Sequence, residues 1–169
     1  MIALLLQAAA PAPAPAPPWM PVERATPQGT RSIAASAFSA DGSARLVVRC
    51  DRVTSPVISV QFIPREQTRR FGVQPVSLQF DGGTPLVDNW EVMGAGLIER
   101  EDAAITTLSS GIAHARQIKL HSVSSDEAVV DLVFAGPATD APIRRVVEAC
   151  GFVLGQVPQR APSPAPAPT

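Results

Sequence analysis

Tyrosine is absent from this chain of 169 residues, and aromatic side chains make up only 5% of it. Platforms that stack sugars or single-stranded bases are built from such rings, so neither function is expected. Lysine occurs once, as Lys119, among 14 basic residues. The arginines are scattered, and alanine and proline are abundant too, a pattern of GC-rich coding rather than of phosphate recognition. With a net charge of -1 and a pI near 6.1, no summed field draws in phosphate backbones or anionic lipids. Nucleic acid is therefore not an expected partner. The chain lacks the GxGxxG and GxxxxGK[ST] phosphate loops and the GxSxG nucleophile elbow. No apolar run approaches the roughly 20 residues that cross a bilayer, so no membrane span is expected.

Proline is plentiful and unevenly placed. Of 18 prolines, seven fall between Pro11 and Pro27 and five between Pro158 and Pro168. Alternating Ala-Pro favours extended polyproline II and has no apolar face to repay ordering, so both ends read as disordered spacers. Residues 19–157 remain as a single globular β-rich domain, flanked by an Ala/Pro linker over 1–18 and a Pro/Ala tail over 158–169. That length suits one domain of roughly 100 to 200 residues. The stretch Met1 to Ala10 is short, apolar and ends in small residues, like the hydrophobic region of a signal peptide. No basic residue precedes it, and Pro11 sits where cleavage would be easiest. The expected location is periplasmic or secreted.

Within the domain the apolar period is mostly two, the signature of half-buried strands. Leu46, Val48 and Cys50 share one face; Arg45, Val47 and Arg49 share the other. Similar alternation marks Ile58–Phe62, Val76–Phe80, the Trp90–Val92 stretch, Ile118–Leu120 and Ala128–Phe134, with a further strand near Arg31–Ser39. Asp41-Gly42 and Asp81-Gly82-Gly83 supply hairpin turns. About seven or eight antiparallel strands are expected. The fold class is mainly β with α: an antiparallel, β-sandwich-like sheet with a short middle helix and a C-terminal helix packed on it.

The helices announce themselves by a change of period. Ile105, Leu108 and Ile112 are spaced three and four apart and predict a helix over about 104–115, with Gly111 as a weak point. Ile143, Val146, Val147 and Cys150 form one face of a second helix. Asp140 is its expected N-cap, Pro142 fits the first turn and Gly151 ends it.

Both cysteines thus point inward, Cys50 from a strand and Cys150 from the last helix. Each could be a buried free thiol, the usual state in a reducing compartment. With two cysteines in all and an export-like beginning, a Cys50–Cys150 disulfide fits better. A redox pair would more usually be CxxC at an exposed helix start.

Catalytic signals are sparse. His114 and His121 are the only histidines, seven residues apart, and are expected as surface residues rather than metal ligands. No metal, cofactor-binding or catalytic residue is assigned, and no cofactor is expected. The run His121 to Asp126 holds the residue types of a hydrolytic triad, but local crowding is the wrong geometry, and Ser124–Glu127 reads as a hairpin turn. Glu99, Glu101 and Asp102 could do acid/base work, yet flanking Arg100 makes a solvated charge cluster the simpler reading.

The segment order resembles the VasI/TagO-like family of small periplasmic proteins associated with type VI secretion. The likeness rests on Asp41–Cys50, on Val76–Pro85 followed by Trp90, on Val130–Phe134 and on the helix ending Glu148-Ala-Cys-Gly151. It spans about residues 31–152, and its motifs are structural. The resemblance implies a β-sandwich-like domain with a helix clamped by Cys50–Cys150, and an accessory role without catalysis. The expected function is that of an exported, non-catalytic binding or accessory protein with a protein partner in the cell envelope. The alternatives are an envelope-structural protein, or a small hydrolase with a dispersed site at Asp131 or at Glu99 to Asp102.

Overall fold

The computed structural model describes residues 18–25, 29–65, 72–123 and 127–158. The apolar run Met1 to Ala10, nearly all of both Ala/Pro segments and most of the Ser124–Glu127 turn lie outside the described residues. Among the described residues, nine strands and two helices follow in chain order. They are β1 (Val22–Ala25), β2 (Arg31–Phe38), β3 (Ala44–Arg52), β4 (Val57–Pro64), β5 (Val73–Phe80), β6 (Leu86–Met93), β7 (Gly96–Glu99), α1 (Asp102–His114), β8 (Gln117–Val123), β9 (Val129–Ala135) and α2 (Ala141–Ala149).

The strands form one antiparallel sheet in the order β1-β2-β3-β4-β7-β6-β5-β8-β9. Alternation carries Ile33, Leu46, Val48, Val60, Phe62 and Leu120 to the inner face, where all are buried, and brings Ile33, Cys50 and Ile58 into one cross-strand row. The sheet curls until its ends approach: Ser39 bridges Phe134, and the Ala40 amide donates to the Val133 carbonyl at 2.8 Å. Trp19 fills the seam. Its backbone amide donates to Ser36 O and its indole Nε1 to Ala135 O, both at 2.7 Å, and the side chain is fully buried. Its positive φ of 64° is uncommon for a bulky residue and is held by these bonds on both sides.

Both helices cover the concave face. α2 buries Ile143, Val146 and Val147 and packs on β2 and β3, while α1 buries Ile105, Leu108 and Ile112 and packs on β4 and α2. Cys50 and Cys150 are joined in a disulfide, with Cα atoms 5.8 Å apart. The mainly β architecture with helices packed on the sheet is thus the one the periodicity predicts.

Several local expectations need correction. The sequence pattern missed β1 and β7, both only four residues long and without room for a full alternation. Gly96 opens β7, where a Cβ would lie 2.7 Å from the Phe62 carbonyl oxygen. Asp140 stands at the N-cap position of α2 but makes no capping hydrogen bond; its carboxylate pairs with Arg144. Its backbone is already helical (φ -71°, ψ -15°), whereas a capping side chain works from extended backbone. The first helix starts earlier than predicted, because Glu101 caps it by accepting from the Ala104 amide at 2.7 Å.

Candidate functional site

The sheet order has one consequence that bears on function. β6 pairs with β5 from Leu86 to Glu91, but with β7 only from Glu91 to Met93. β7 ends at Glu99, where the chain turns away to enter α1. Among the described residues, no strand therefore pairs with Leu86–Trp90 on the side facing α1. The sheet has a notch there, walled by the edge of β6 and by the first turns of α1.

The notch opens onto a groove of about 320 Å³. Val76, Leu78, Leu86 and Trp90 from the sheet and Ala104 and Leu108 from α1 give it an apolar interior, with Asp88 and Glu101 also on its lining. Trp90 is 1% exposed, whereas Val87 beside the groove is 69% exposed. A second opening shares Asp88 and Glu101 and adds Glu91, Glu99 and Arg100. Glu99 is buried, and its Oε1 accepts from the amides of Arg100 and Glu101 at 2.7 Å each. Glu91 pairs with Arg100. The expected solvated cluster of Glu99, Glu101 and Asp102 is thus corrected at Glu99, which is buried and fixes the turn into α1, while Glu101 stays exposed and caps the helix. The signal available in sequence was the acidic residue placed just before the Ile105/Leu108/Ile112 pattern.

A broader groove lies on the outer face of β3, β4 and β7, lined by Arg49, Asp51, Gln61 and Ile98 among others. Its polar groups largely satisfy one another: Arg49 grips Asp51 at 2.7 Å, and Gln61 donates to Ser59 at 2.9 Å.

The third feature is a row on the outer face of β5, β8 and β9. Register places Ser77 opposite His121 and His121 opposite Asp131, and His121 Nδ1 lies 2.8 Å from Asp131 Oδ1. All three line a shallow depression together with Lys119. Sequence reasoning considered His121 with its neighbours up to Asp126 and missed Ser77, because cross-strand register cannot be read from a local run. Among the described residues no side-chain hydrogen bond joins Ser77 to His121, and the His121 and Asp131 side chains are 52% and 73% exposed. His114 is also on the surface, its Nδ1 2.8 Å from the Ser110 carbonyl. The described residues hold no group of three or more metal-ligating side chains, and no described helix is long and apolar enough to cross a membrane.

Two turn aspartates are held below the ordinary carboxylate value. The Ser39 hydroxyl, then the Ser43 amide and hydroxyl, stabilise the Asp41 anion. The amides of Gln117 and Arg116 do the same for Asp81, tying the β5–β6 turn to the start of β8. Both are structural clasps.

Comparison with known proteins adds little. No family model matches the chain, and no curated protein matches it. Among solved structures, the crystal structure of invasion associated protein B from Bartonella henselae is similar, with 14% identity over 75% of this chain and 91% of that chain and a TM-score of 0.47.

Proposed function

We propose that this chain is an exported, non-catalytic accessory protein of the cell envelope that holds a protein partner in the groove between α1 and the open edge of β6. The observation that carries this reading is the groove itself, an apolar pocket of about 320 Å³ opening at a strand edge that no other described strand pairs with. Such a pocket accepts a few apolar side chains, and an open edge offers main-chain hydrogen bonds beside it. Export is supported by the Cys50–Cys150 disulfide, since such bonds persist in oxidising compartments, and by the signal-like run at Met1 to Ala10. The resemblance to VasI/TagO-like proteins points the same way and suggests a link to secretion machinery.

Filling the pocket tests the reading. Ala104→Phe places a ring over Trp90 from the helix side, and immobilised wild-type protein should retain an envelope polypeptide that this variant loses at unchanged melting temperature. Equal retention would remove the groove from the function. A phosphatase reporter fused after Gln28 should be active outside the cytoplasm; an inactive reporter would end the export reading.

The Ser77–His121–Asp131 row favours a second reading, a small hydrolase in which His121 would activate Ser77. A fluorophosphonate probe that labels the wild type and not Ser77→Ala would establish it, and an unlabelled wild type would dismiss it.

A further inference from the structure

The notch has a shape, a hydrogen-bonding edge and a charge, and together these specify an occupant more narrowly than a generic partner. β5 holds Leu86 to Trp90 extended, and in an antiparallel strand the peptide groups turn alternately to one side and the other. Those turned away from β5 face the notch, where no described strand meets them; the Asn89 amide donates instead to Asp88 Oδ1 at 2.7 Å, and the Val87 peptide stays open. The opposite wall begins with Glu101, Ala103 and Ala104, and the two alanines leave room for an extended chain beside β6.

Charge adds the second constraint. Asp88, Glu91, Glu99 and Glu101 line the opening adjoining the groove, with Arg100 as its one basic residue. Glu91 is paired with Arg100 and Glu99 is buried on backbone amides, so the exposed carboxylates of Asp88 and Glu101 give the opening its remaining negative charge, while the floor beneath it at Trp90 and Leu78 is apolar. A strand laid along β6 sends alternate side chains toward the floor and away from it. Apolar residues suit the first set and basic residues the second.

We infer that the open edge of β6 at Leu86–Trp90 accepts by strand addition an extended segment of a partner protein in which apolar residues alternate with lysine or arginine. The inference rests on the groove reading above and specifies its mode and partner chemistry. The competing reading is protective: Pro85 and the exposed Asp88 are the kind of residues that keep a strand edge from pairing at all.

The full chain should be titrated calorimetrically with a hexapeptide of alternating lysine and leucine, with a glutamate-leucine counterpart, and with the lysine peptide N-methylated on alternate amides. The lysine peptide should bind one to one and slow hydrogen exchange at the amide of Val87, while both control peptides fail. Asp88→Lys and Ala104→Phe should each weaken binding about tenfold, about 1.4 kcal/mol. Equal binding of the glutamate peptide would overturn the charge argument, and equal binding of the N-methylated peptide would overturn strand addition. If the lysine peptide does not bind while Ala104→Phe still abolishes capture of the envelope partner, this inference falls and the groove reading stands. If peptide binding and envelope capture both survive Ala104→Phe, both fall.

Discussion

Breaking the Cys50–Cys150 bond should be the most informative perturbation of stability. The bridge links β3 to the C-cap of α2 across a sequence separation of 100 residues. In the chain-entropy treatment a loop of that length restricts the unfolded chain by about 4.7 kcal/mol, and losing a native disulfide from a small exported domain usually costs about 2–5 kcal/mol. Cys50 is fully buried and Cys150 is 5% exposed, so replacement by serine would add the cost of burying hydroxyls. The double variant Cys50→Ala/Cys150→Ala isolates the covalent contribution more cleanly. At about 2–4 °C per kcal/mol for a domain of this size, its melting temperature should fall by about 5–15 °C. Circular dichroism melts of the wild type and the variant, each with and without reductant, provide the measurement. Reductant should lower the wild type and leave the variant unchanged. A wild type whose melt is indifferent to reductant, or whose thiols alkylate in denaturant without reduction, would refute the reasoning and with it the clamp between α2 and β3.

Other expectations follow from single contacts. Gly136→Ala should destabilise by about 3 kcal/mol, because its Cβ would overlap the Ala115 carbonyl, backbone that cannot step aside while Gly136 N donates to Arg116 O. At Gly111→Ala the three nearest atoms all belong to the Phe80 ring, a side chain that can shift, so chemical denaturation should show a smaller loss. Trp19→Phe removes the indole bond to Ala135 and should cost about 1–3 kcal/mol, with faster hydrogen exchange concentrated in β2 and β9. Asp81 has a depressed folded pKa, so its stabilisation is present above the unfolded value and is lost as pH falls through the folded one. Asp81→Asn should therefore flatten the fall in melting temperature below about pH 4; an unchanged acid limb would show that the clasp is unimportant.

The sequence alone determined which side chains face inward. Alternation at Leu46, Val48 and Cys50, and helical spacing at Ile143, Val146, Val147 and Cys150, turn both cysteines to the core, and the structure joins them. Those patterns depend only on residues a few positions apart, so a single chain displays them. Which strands become neighbours is a different matter. That β7 inserts between β4 and β6, and that β5 pairs with β8 and not with β4, depends on contacts between distant segments, and alternation is blind to them. The notch beside Leu86–Trp90 follows from that order and from the shortness of β7. Ser77, His121 and Asp131 likewise became a row only when three strands took their register. Trp19, which the sequence pattern places at the first position of the domain without giving it a role, seals the seam because the curl of the sheet brings Ala135 within reach of its indole. Faces are written locally; neighbours are decided when the whole chain packs.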